Sequence, residues 1–132
     1  MPPHDARLTR LELEIMKVLW ESGPAPVQAV RERLEAQGRD LAYNTVQTML
    51  NVLRRKRRVR RSLDGRAYTY APVTTRLQAT RQAVADLVGR MFDGKAEDLV
   101  MSLVETRRIA PATLQRLARM IDGGKGGGHG RR

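Results

Sequence analysis

Cysteine is absent from this 132-residue chain, and its absence excludes disulfide bonds, thiolate metal sites and thiol redox chemistry. Long hydrophobic runs are also missing, because no apolar stretch approaches the roughly 18–20 residues that span a bilayer. The opening MPPHDARLTRLELE carries acidic side chains and no apolar segment, so we expect no secretory signal and a cytoplasmic, nucleoid-associated location. With 41% hydrophobic residues, the chain can still form a core, which excludes global disorder.

Sequence patterns typical of an active site are missing as well. The two histidines, His4 and His129, lie near the ends of the chain, where we expect disorder, so neither is a candidate catalytic base or metal ligand. No phosphate-binding loop and no nucleophile elbow is present, and the acidic residues are spaced as on solvated helix faces. We therefore predict a protein without enzymatic activity, bound metal or cofactor.

Positive charge is abundant and concentrated in one part of the chain. The formal net charge is +11, and residues 42–76, with nine basic and one acidic side chain, carry +8 of it. An excess that only kept the protein soluble would be spread along the chain, so this concentration indicates a polyanionic partner, with nucleic acid ahead of an anionic membrane. A solvated charged run is the alternative.

The first part of the chain has the pattern of two helices. Thr9 and Glu12 form a capping-box signature, and apolar side chains then recur at helical spacing up to a Ser-Gly-Pro stop. A second helix is predicted to begin at Pro26, a residue suited to the first helical position, and to end at Gly38. Trp20, at the end of the first apolar stripe, is expected to pack in the core.

The third predicted helix, residues 42–56, has two chemically different faces. Four apolar side chains fall in one narrow sector and are expected to face the core: Val46, Met49, Leu50 and Leu53. The opposite sector presents uncharged amides and hydroxyls, groups that hydrogen-bond to base edges: Asn44, Gln47, Thr48 and Asn51. The last turn adds basic groups suited to phosphates, among them Arg54 and Arg55. This sorting predicts a helix that reads DNA in a groove.

A basic β-hairpin is predicted next, in RVRRSLDGRAYTYAP (58–72). Asp64-Gly65 is a strong turn signal between two β-prone arms. Three helices followed by such a hairpin is the order of a winged helix-turn-helix domain, in which the hairpin, or wing, lies along the DNA backbone. Three wing arginines would then face phosphates: Arg60, Arg61 and Arg66. Tyr68 and Tyr70 alternate onto one strand face, and we expect both rings to pack onto the core.

Three short amphipathic helices follow from residue 74. So small a segment rarely buries enough apolar surface alone, so its apolar faces need a partner, and a second copy of the segment is the simplest one. Packing against the N-terminal domain is the alternative. The predicted dimerisation residues are Leu77, Val84, Leu87, Val88, Met91, Phe92, Leu99, Leu103, Leu114, Leu117 and Ile121. We predict a mainly α fold with a small antiparallel β wing: a winged helix-turn-helix domain at 1–73, a helical dimerisation module at 74–122 and a disordered Gly/basic tail at 123–132.

Three stretches resemble one known family: LTRLELEIMKVLW (8–20), AYNTVQTMLNVLRRK (42–56) and DGRAYTYAP (64–72). They are similar to the BlaI/MecI/CopY-type repressors, the penicillinase-repressor family, over roughly residues 8–122. The resemblance implies a homodimeric transcriptional repressor on a dyad-symmetric operator. Many members silence β-lactamase or cell-wall genes and are released when a membrane sensor-protease pathway cleaves the dimerisation module.

The resemblance also assigns DNA contacts on the third helix. It implies base contacts for Asn44, Gln47 and Thr48, and it places Thr45 and Asn51 nearer the backbone. With the basic side chains added, the predicted backbone set is Thr45, Asn51, Arg54, Arg55, Arg58, Arg60, Arg61 and Arg66. Some members have basic residues where this chain has Asn44 and Gln47, and an amide prefers adenine where arginine prefers guanine. A different operator sequence is therefore expected.

Three further departures from the family pattern matter. Arg57 stands where members usually have glycine, so either the third helix continues or Arg57 adopts a left-handed conformation that costs roughly 1–2 kcal/mol. The family's Asn–Phe cleavage point aligns with Ser102–Leu103, which makes this bond the candidate cleavage site but with different residues. The cysteine cluster of the copper-sensing branch is absent, which excludes copper sensing through thiolates.

Two rival functions use the same features. A non-specific architectural protein would bind DNA or RNA through the basic patch alone. A winged helix that binds another protein is the second rival, but it would leave the basic hairpin unexplained.

Overall fold

The computed structural model describes residues 7–124, and this part of the chain contains six helices and one three-stranded antiparallel sheet. In chain order the elements are α1 (Arg10–Ser22), β1 (Ala25–Pro26), α2 (Val27–Ala36), α3 (Tyr43–Arg55), β2 (Val59–Asp64), β3 (Ala67–Pro72), α4 (Arg76–Met91), α5 (Ala96–Glu105) and α6 (Pro111–Gly124). The predicted mainly α, winged helix-turn-helix architecture is confirmed. No helix within 7–124 is long and apolar enough to cross a membrane.

The chain forms two compact units that divide between Ala83 and Val84, inside α4. The functional boundary predicted after residue 73 remains a prediction. The predicted disordered tail is wrong for its first two residues, because Gly123 and Gly124 belong to α6. The rest of that tail lies outside the described residues, as do both histidines.

Helix α1 begins with the predicted capping box. The Glu12 N–H donates to Thr9 Oγ1 at 3.3 Å, and the Thr9 N–H donates to Glu12 Oε1 at 2.9 Å. These bonds satisfy two of the N–H groups that a helix start leaves without partners. The helix ends at Gly23, whose φ of +84° suits a residue without Cβ.

The core of the first unit lies among α1, α2, α3 and the sheet. Its fully buried side chains include Ile15 and Leu19 of α1, Leu34 of α2, and Tyr70 of β3. Burial of each of the three aliphatic side chains contributes roughly 1.5–3 kcal/mol. Trp20 packs against this core as predicted, and its Nε1–H donates to the Thr74 carbonyl at 2.9 Å. That bond joins the end of α1 to the chain that follows the wing.

Strand β1 has only two residues and was not expected from the sequence. Ala25 pairs with Tyr70, and Pro26 pairs with Thr69, so the strand order is β1-β3-β2. The prediction that Pro26 is the first residue of the second helix is wrong: Pro26 is the extended N-cap, with ψ 168°, and the helix begins at Val27. Proline is tolerated here because it lies on an edge strand.

The wing is a tight hairpin in which Asp64 pairs with Ala67. The two turn residues are therefore Gly65 and Arg66, one position later than the predicted Asp64-Gly65 pair. Gly65 has a φ of +67°, and glycine in the first central position is characteristic of a type II′ turn. Arg66 is thus presented at the tip of the wing.

The three C-terminal helices have apolar side chains but no buried ones. None of the described side chains from Arg76 to Gly123 is buried. Seven of the predicted dimerisation residues are exposed: Leu77, Val84, Leu87, Met91, Leu103, Leu117 and Ile121. Val88, Phe92, Leu99 and Leu114 are half-buried. Most of the predicted dimerisation residues are therefore accessible at the surface of the described part of the chain.

Candidate nucleic-acid interface

The outer face of α3 presents the three residues predicted to read bases. Asn44, Gln47 and Thr48 are exposed, while the opposite face is fully buried through Val46, Leu50 and Leu53. The buried face fixes the helix against the core, so the exposed amides and hydroxyl stand on a rigid element. Their contact with base edges remains a prediction.

The N-terminus of α3 has no side-chain cap and no acidic residue in its first turn. Its first N–H groups therefore keep a positive electrostatic potential that favours anions. Thr45, predicted to lie near the DNA backbone, is exposed in this turn.

Asn51 connects α3 to the sheet. Its Oδ1 accepts a hydrogen bond from Arg61 Nη1 at 3.3 Å and another from the Tyr70 hydroxyl at 3.4 Å. Tyr70 is buried, so Asn51 satisfies a hydroxyl group that would otherwise lack an acceptor. The wing and the third helix are therefore held in one geometry by a half-buried amide.

The prediction that both tyrosine rings pack onto the core is wrong for Tyr68, whose ring is exposed, whereas Tyr70 is buried. Tyr68 is 42% exposed and Tyr70 is 1% exposed. The register explains the difference: Tyr68 pairs with Leu63 near the turn, whereas Tyr70 pairs with Arg61 at the base of the wing. The Arg61 guanidinium instead lies 3.9 Å from the Tyr68 ring centroid, a cation–π contact.

The prediction that Arg58 contacts the DNA backbone does not fit the structure, because this side chain is buried. Its side chain is 7% exposed, and Nη1 donates to Gln82 Oε1 at 3.1 Å and to Thr74 Oγ1 at 3.4 Å. The Arg58 N–H donates to the Leu53 carbonyl at 2.9 Å. That bond belongs to a Schellman motif, which directs the residue after the left-handed position back toward the helix.

Lys56 is likewise turned inward. Its Nζ lies 2.8 and 3.0 Å from the two carboxylate oxygens of Glu12, and Glu12 is only 2% exposed. The Lys56 ammonium group therefore stabilises the fold by fixing the end of α3 to the capping box of α1.

Four arginines of the predicted backbone set remain exposed: Arg54, Arg55, Arg60 and Arg66. None of them forms an ion pair with a residue in the described range. Arg57, which was not in that set, is exposed beside them and adopts the left-handed alternative, with φ +63°. The basic run predicted positive charge at the end of α3, but the sequence alone did not indicate that Arg57 would face outward and Arg58 inward.

A metal centre is not part of this surface. Within residues 7–124 no group of three or more His, Asp or Glu side chains is placed to hold a metal ion. The surface has the composition of a nucleic-acid interface, in which neutral donors and acceptors are flanked by guanidinium groups.

The candidate cleavage bond, Ser102–Leu103, lies inside α5. The Ser102 carbonyl accepts hydrogen bonds from the Thr106 N–H at 2.9 Å and from the Thr106 hydroxyl at 2.7 Å. Leu103 is 37% exposed. The bond is therefore close to the surface but held in helical conformation.

Comparison with known proteins places this surface in context. Residues 8–123 match the penicillinase repressor family, so the resemblance seen in the sequence is confirmed. The transcriptional regulator BlaI of Mycobacterium tuberculosis is 38% identical over 105 residues, which cover 76% of this chain and 75% of the relative. The penicillinase repressor of Bacillus licheniformis is 22% identical over 116 residues, or 88% and 90% of the two chains.

Among solved structures, a chain from the complex structure of hsRosR-S4 is similar in fold. It superposes with a TM-score of 0.51 at 21% identity, over 93% of this chain and 98% of that one. The likeness supports the fold alone.

Proposed function

The chain belongs to the penicillinase repressor family, and we propose that it represses transcription as a homodimer bound to a dyad-symmetric DNA operator. This family consists of transcriptional regulators, not enzymes, and DNA is the partner of its members. The proposed role of this chain is therefore to recognise DNA, without making or breaking a covalent bond.

The observation that carries the proposal is the exposed face of α3. Asn44, Gln47 and Thr48 stand there as uncharged donors and acceptors, backed by buried Val46 and Leu50. Each amide would make paired hydrogen bonds to one base edge in the major groove, most readily adenine. An ordinary solvated helix has no need to keep this face free of charge.

The arginines around α3 would fix the register of the complex. Arg54 and Arg55 follow the reading residues by two turns, and Arg60 and Arg66 lie on the wing. All four are exposed and without ion pairs among the described residues, so their donors are available to phosphate oxygens. Phosphate contacts position the protein but carry no sequence information.

Dimerisation would supply the second half of the reader. Seven of the eleven predicted dimerisation residues are exposed, and large exposed apolar faces mark association sites. Two copies would place two α3 helices in successive major grooves, about 34–36 Å apart. A single protomer has half of the contacts, so loss of the dimer would release DNA.

Cleavage of the dimerisation module is the release mechanism we propose to test. Proteases bind extended backbone, so the helical Ser102–Leu103 bond has to be exposed by local unfolding of α5 before it is cut. Opening of this module would free DNA without altering α3. Control of β-lactamase or cell-wall genes, a sensor-protease partner and a cytoplasmic, nucleoid-associated location are parts of the same proposal.

The test is a selection of binding sites from random duplexes with the purified full chain, followed by affinity measurements on the selected site. A repressor selects a dyad-symmetric sequence, and excess random duplex barely competes with it. If each dimer neutralises about ten phosphates, log K falls against log salt with a slope near −9. Selection of no common sequence would instead identify a non-specific architectural protein.

A further inference from the structure

A shallow, open depression of about 330 Å³ lies between the end of α3 and the beginning of β2. Its lining consists of Arg54, Arg57, Val59, Arg60, Arg61 and Val73. Because the strand order is β1-β3-β2, β2 is an edge strand, and this strand contributes Val59, Arg60 and Arg61 to the lining. The depression with its four arginines is referred to below as the arginine pocket.

The charge of the arginine pocket is not balanced by the described residues. Arg61 is held by Asn51 and Tyr68, but Arg54, Arg57 and Arg60 make neither an ion pair nor a side-chain hydrogen bond in the described part of the chain. The end of α3 contributes about half a negative charge, which cannot balance four guanidinium groups. Four like charges around one depression repel one another, and a bound anion would reduce that repulsion.

Arg57 joins this cluster in a strained backbone conformation. Its φ is +63°, in the region that glycine adopts without penalty. The Arg57 N–H donates to the Arg54 carbonyl at 3.0 Å, and the Arg58 N–H donates to the Leu53 carbonyl at 2.9 Å, so Arg57 occupies the left-handed position of a Schellman motif. Strained positions cluster at functional sites. The strained residue here has a guanidinium group that makes no ion pair or side-chain hydrogen bond with the described residues.

The backbone motif alone does not make a site, because α5 ends in the same way. Arg107 has a φ of +62°, its N–H donates to the Val104 carbonyl at 3.0 Å, and the Arg108 N–H donates to the Leu103 carbonyl at 2.8 Å. Only Arg57 of this matched pair lines the arginine pocket. The distinguishing feature is that four arginines line one depression.

We propose that the arginine pocket is a binding site for a phosphate group and that Arg57 is one of its ligands. A guanidinium offers N–H donors in a planar fork that matches two oxygens of a phosphate. Inorganic phosphate, a phosphorylated small molecule and the DNA backbone all present this chemistry. Arg61 also donates to Asn51 of α3, so the pocket is linked to the helix that is proposed to read bases, and a backbone phosphate beside the operator half-site is the expected source. In that respect the inference rests on the proposed function.

The test compares Arg57→Gly with Arg107→Gly in the full chain, since both changes remove an arginine and relieve the same backbone strain. Arg57→Lys, which retains the positive charge, is the conservative variant. One assay titrates the DNA-free protein with pyrophosphate by calorimetry at low salt. The other measures affinity for duplex DNA across a salt series.

We expect Arg57→Gly to lower DNA affinity about tenfold, equally on specific and random duplex, and to reduce the steepness of the salt dependence by about one for each protomer. Arg57→Lys should retain most of that steepness, and Arg107→Gly should match the wild type. Pyrophosphate binding should also be lost with Arg57→Gly and kept with Arg107→Gly.

The two assays separate the sources of the phosphate group. A loss that includes DNA identifies the backbone as the ligand, and a loss confined to pyrophosphate identifies a free phosphorylated molecule. If Arg57→Gly and Arg107→Gly behave alike in both assays, the proposal is overturned. If the wild type selects no operator, only the proposed function fails, because the pyrophosphate comparison still decides the pocket.

Discussion

Glu12, in the first turn of α1, is buried and forms an ion pair with Lys56, directly after α3, with Nζ–Oε distances of 2.8 and 3.0 Å. The same carboxylate accepts the Thr9 N–H of the capping box at 2.9 Å. One buried group thus secures the start of the first helix and the end of the reading helix. The end of α3 is therefore held in place by a pair that is turned into the fold.

Replacing Lys56 by methionine should be strongly destabilising, because Glu12 would remain buried without its cation. We expect a loss of about 3 kcal/mol in the free energy of unfolding, measured by urea denaturation. Arg39→Met is the matched control: it removes the Arg39–Glu14 pair, which has a 2.7 Å contact but side chains that are 45% and 24% exposed. That exposed pair should contribute less than about 1 kcal/mol. Equal losses in the two variants would contradict the structural role of Lys56.

Asn51 is expected to contribute to stability through the buried Tyr70 hydroxyl. Asn51→Ala removes the acceptor of that hydroxyl and should cost about 1–2 kcal/mol. In a Tyr70→Phe background the same change should cost clearly less, because no hydroxyl remains to be satisfied. A double-mutant cycle on thermal unfolding measures the difference, and a coupling energy of zero would show that the contact does not stabilise the fold.

Arg57→Gly should make the free protein more stable. Relief of the left-handed strain, roughly 1–2 kcal/mol, is offset in part by the greater entropy of glycine in the unfolded chain, roughly 0.5–1 kcal/mol. A net gain of up to about 1.5 kcal/mol is expected from urea denaturation. Together with weaker DNA binding, it would show stability exchanged for function at one residue. A destabilised variant would mean that the Arg57 side chain supports the fold.

The exposed apolar residues of the C-terminal helices should determine the oligomeric state. Ile121→Lys introduces a charge into the predicted dimer contact and should shift the sedimentation of the full chain from dimer to monomer. Leu63→Lys is a close match in exposure, at 64% against 67% for Ile121, but lies on the wing. It should leave the dimer intact. If both variants remain dimers, Ile121 lies outside the interface.

The sequence was sufficient to predict the elements whose patterns are periodic. Helix α3 shows this: apolar residues recur every three to four positions, and Val46, Leu50 and Leu53 are buried as that spacing requires. The wing was found from its turn residues and its alternating arms. Strand β1 has two residues, too few for any period, and forms only because β3 offers it a partner.

Side chains within the basic run could not be assigned from the sequence. The position where α3 ends and the left-handed turn at Arg57 together determine which basic side chain of this run points inward. That turn directs Arg58 toward Thr74 and Gln82 and leaves Arg57 outside. Tyr68 and Tyr70 alternate identically, but only Tyr70 is close enough to the core to be buried. Both outcomes are determined by tertiary contacts with elements that are distant in sequence.

The most direct test of the central claim, that the uncharged face of α3 reads DNA sequence, is the affinity of Gln47→Ala for the selected operator and for random duplex. Gln47 is exposed on α3, and the loss of one bidentate amide contact should weaken operator binding by roughly 1–3 kcal/mol and relax preference at one base pair. Binding to random duplex should be unchanged. Equal weakening on both duplexes, or no weakening on either, would contradict the account.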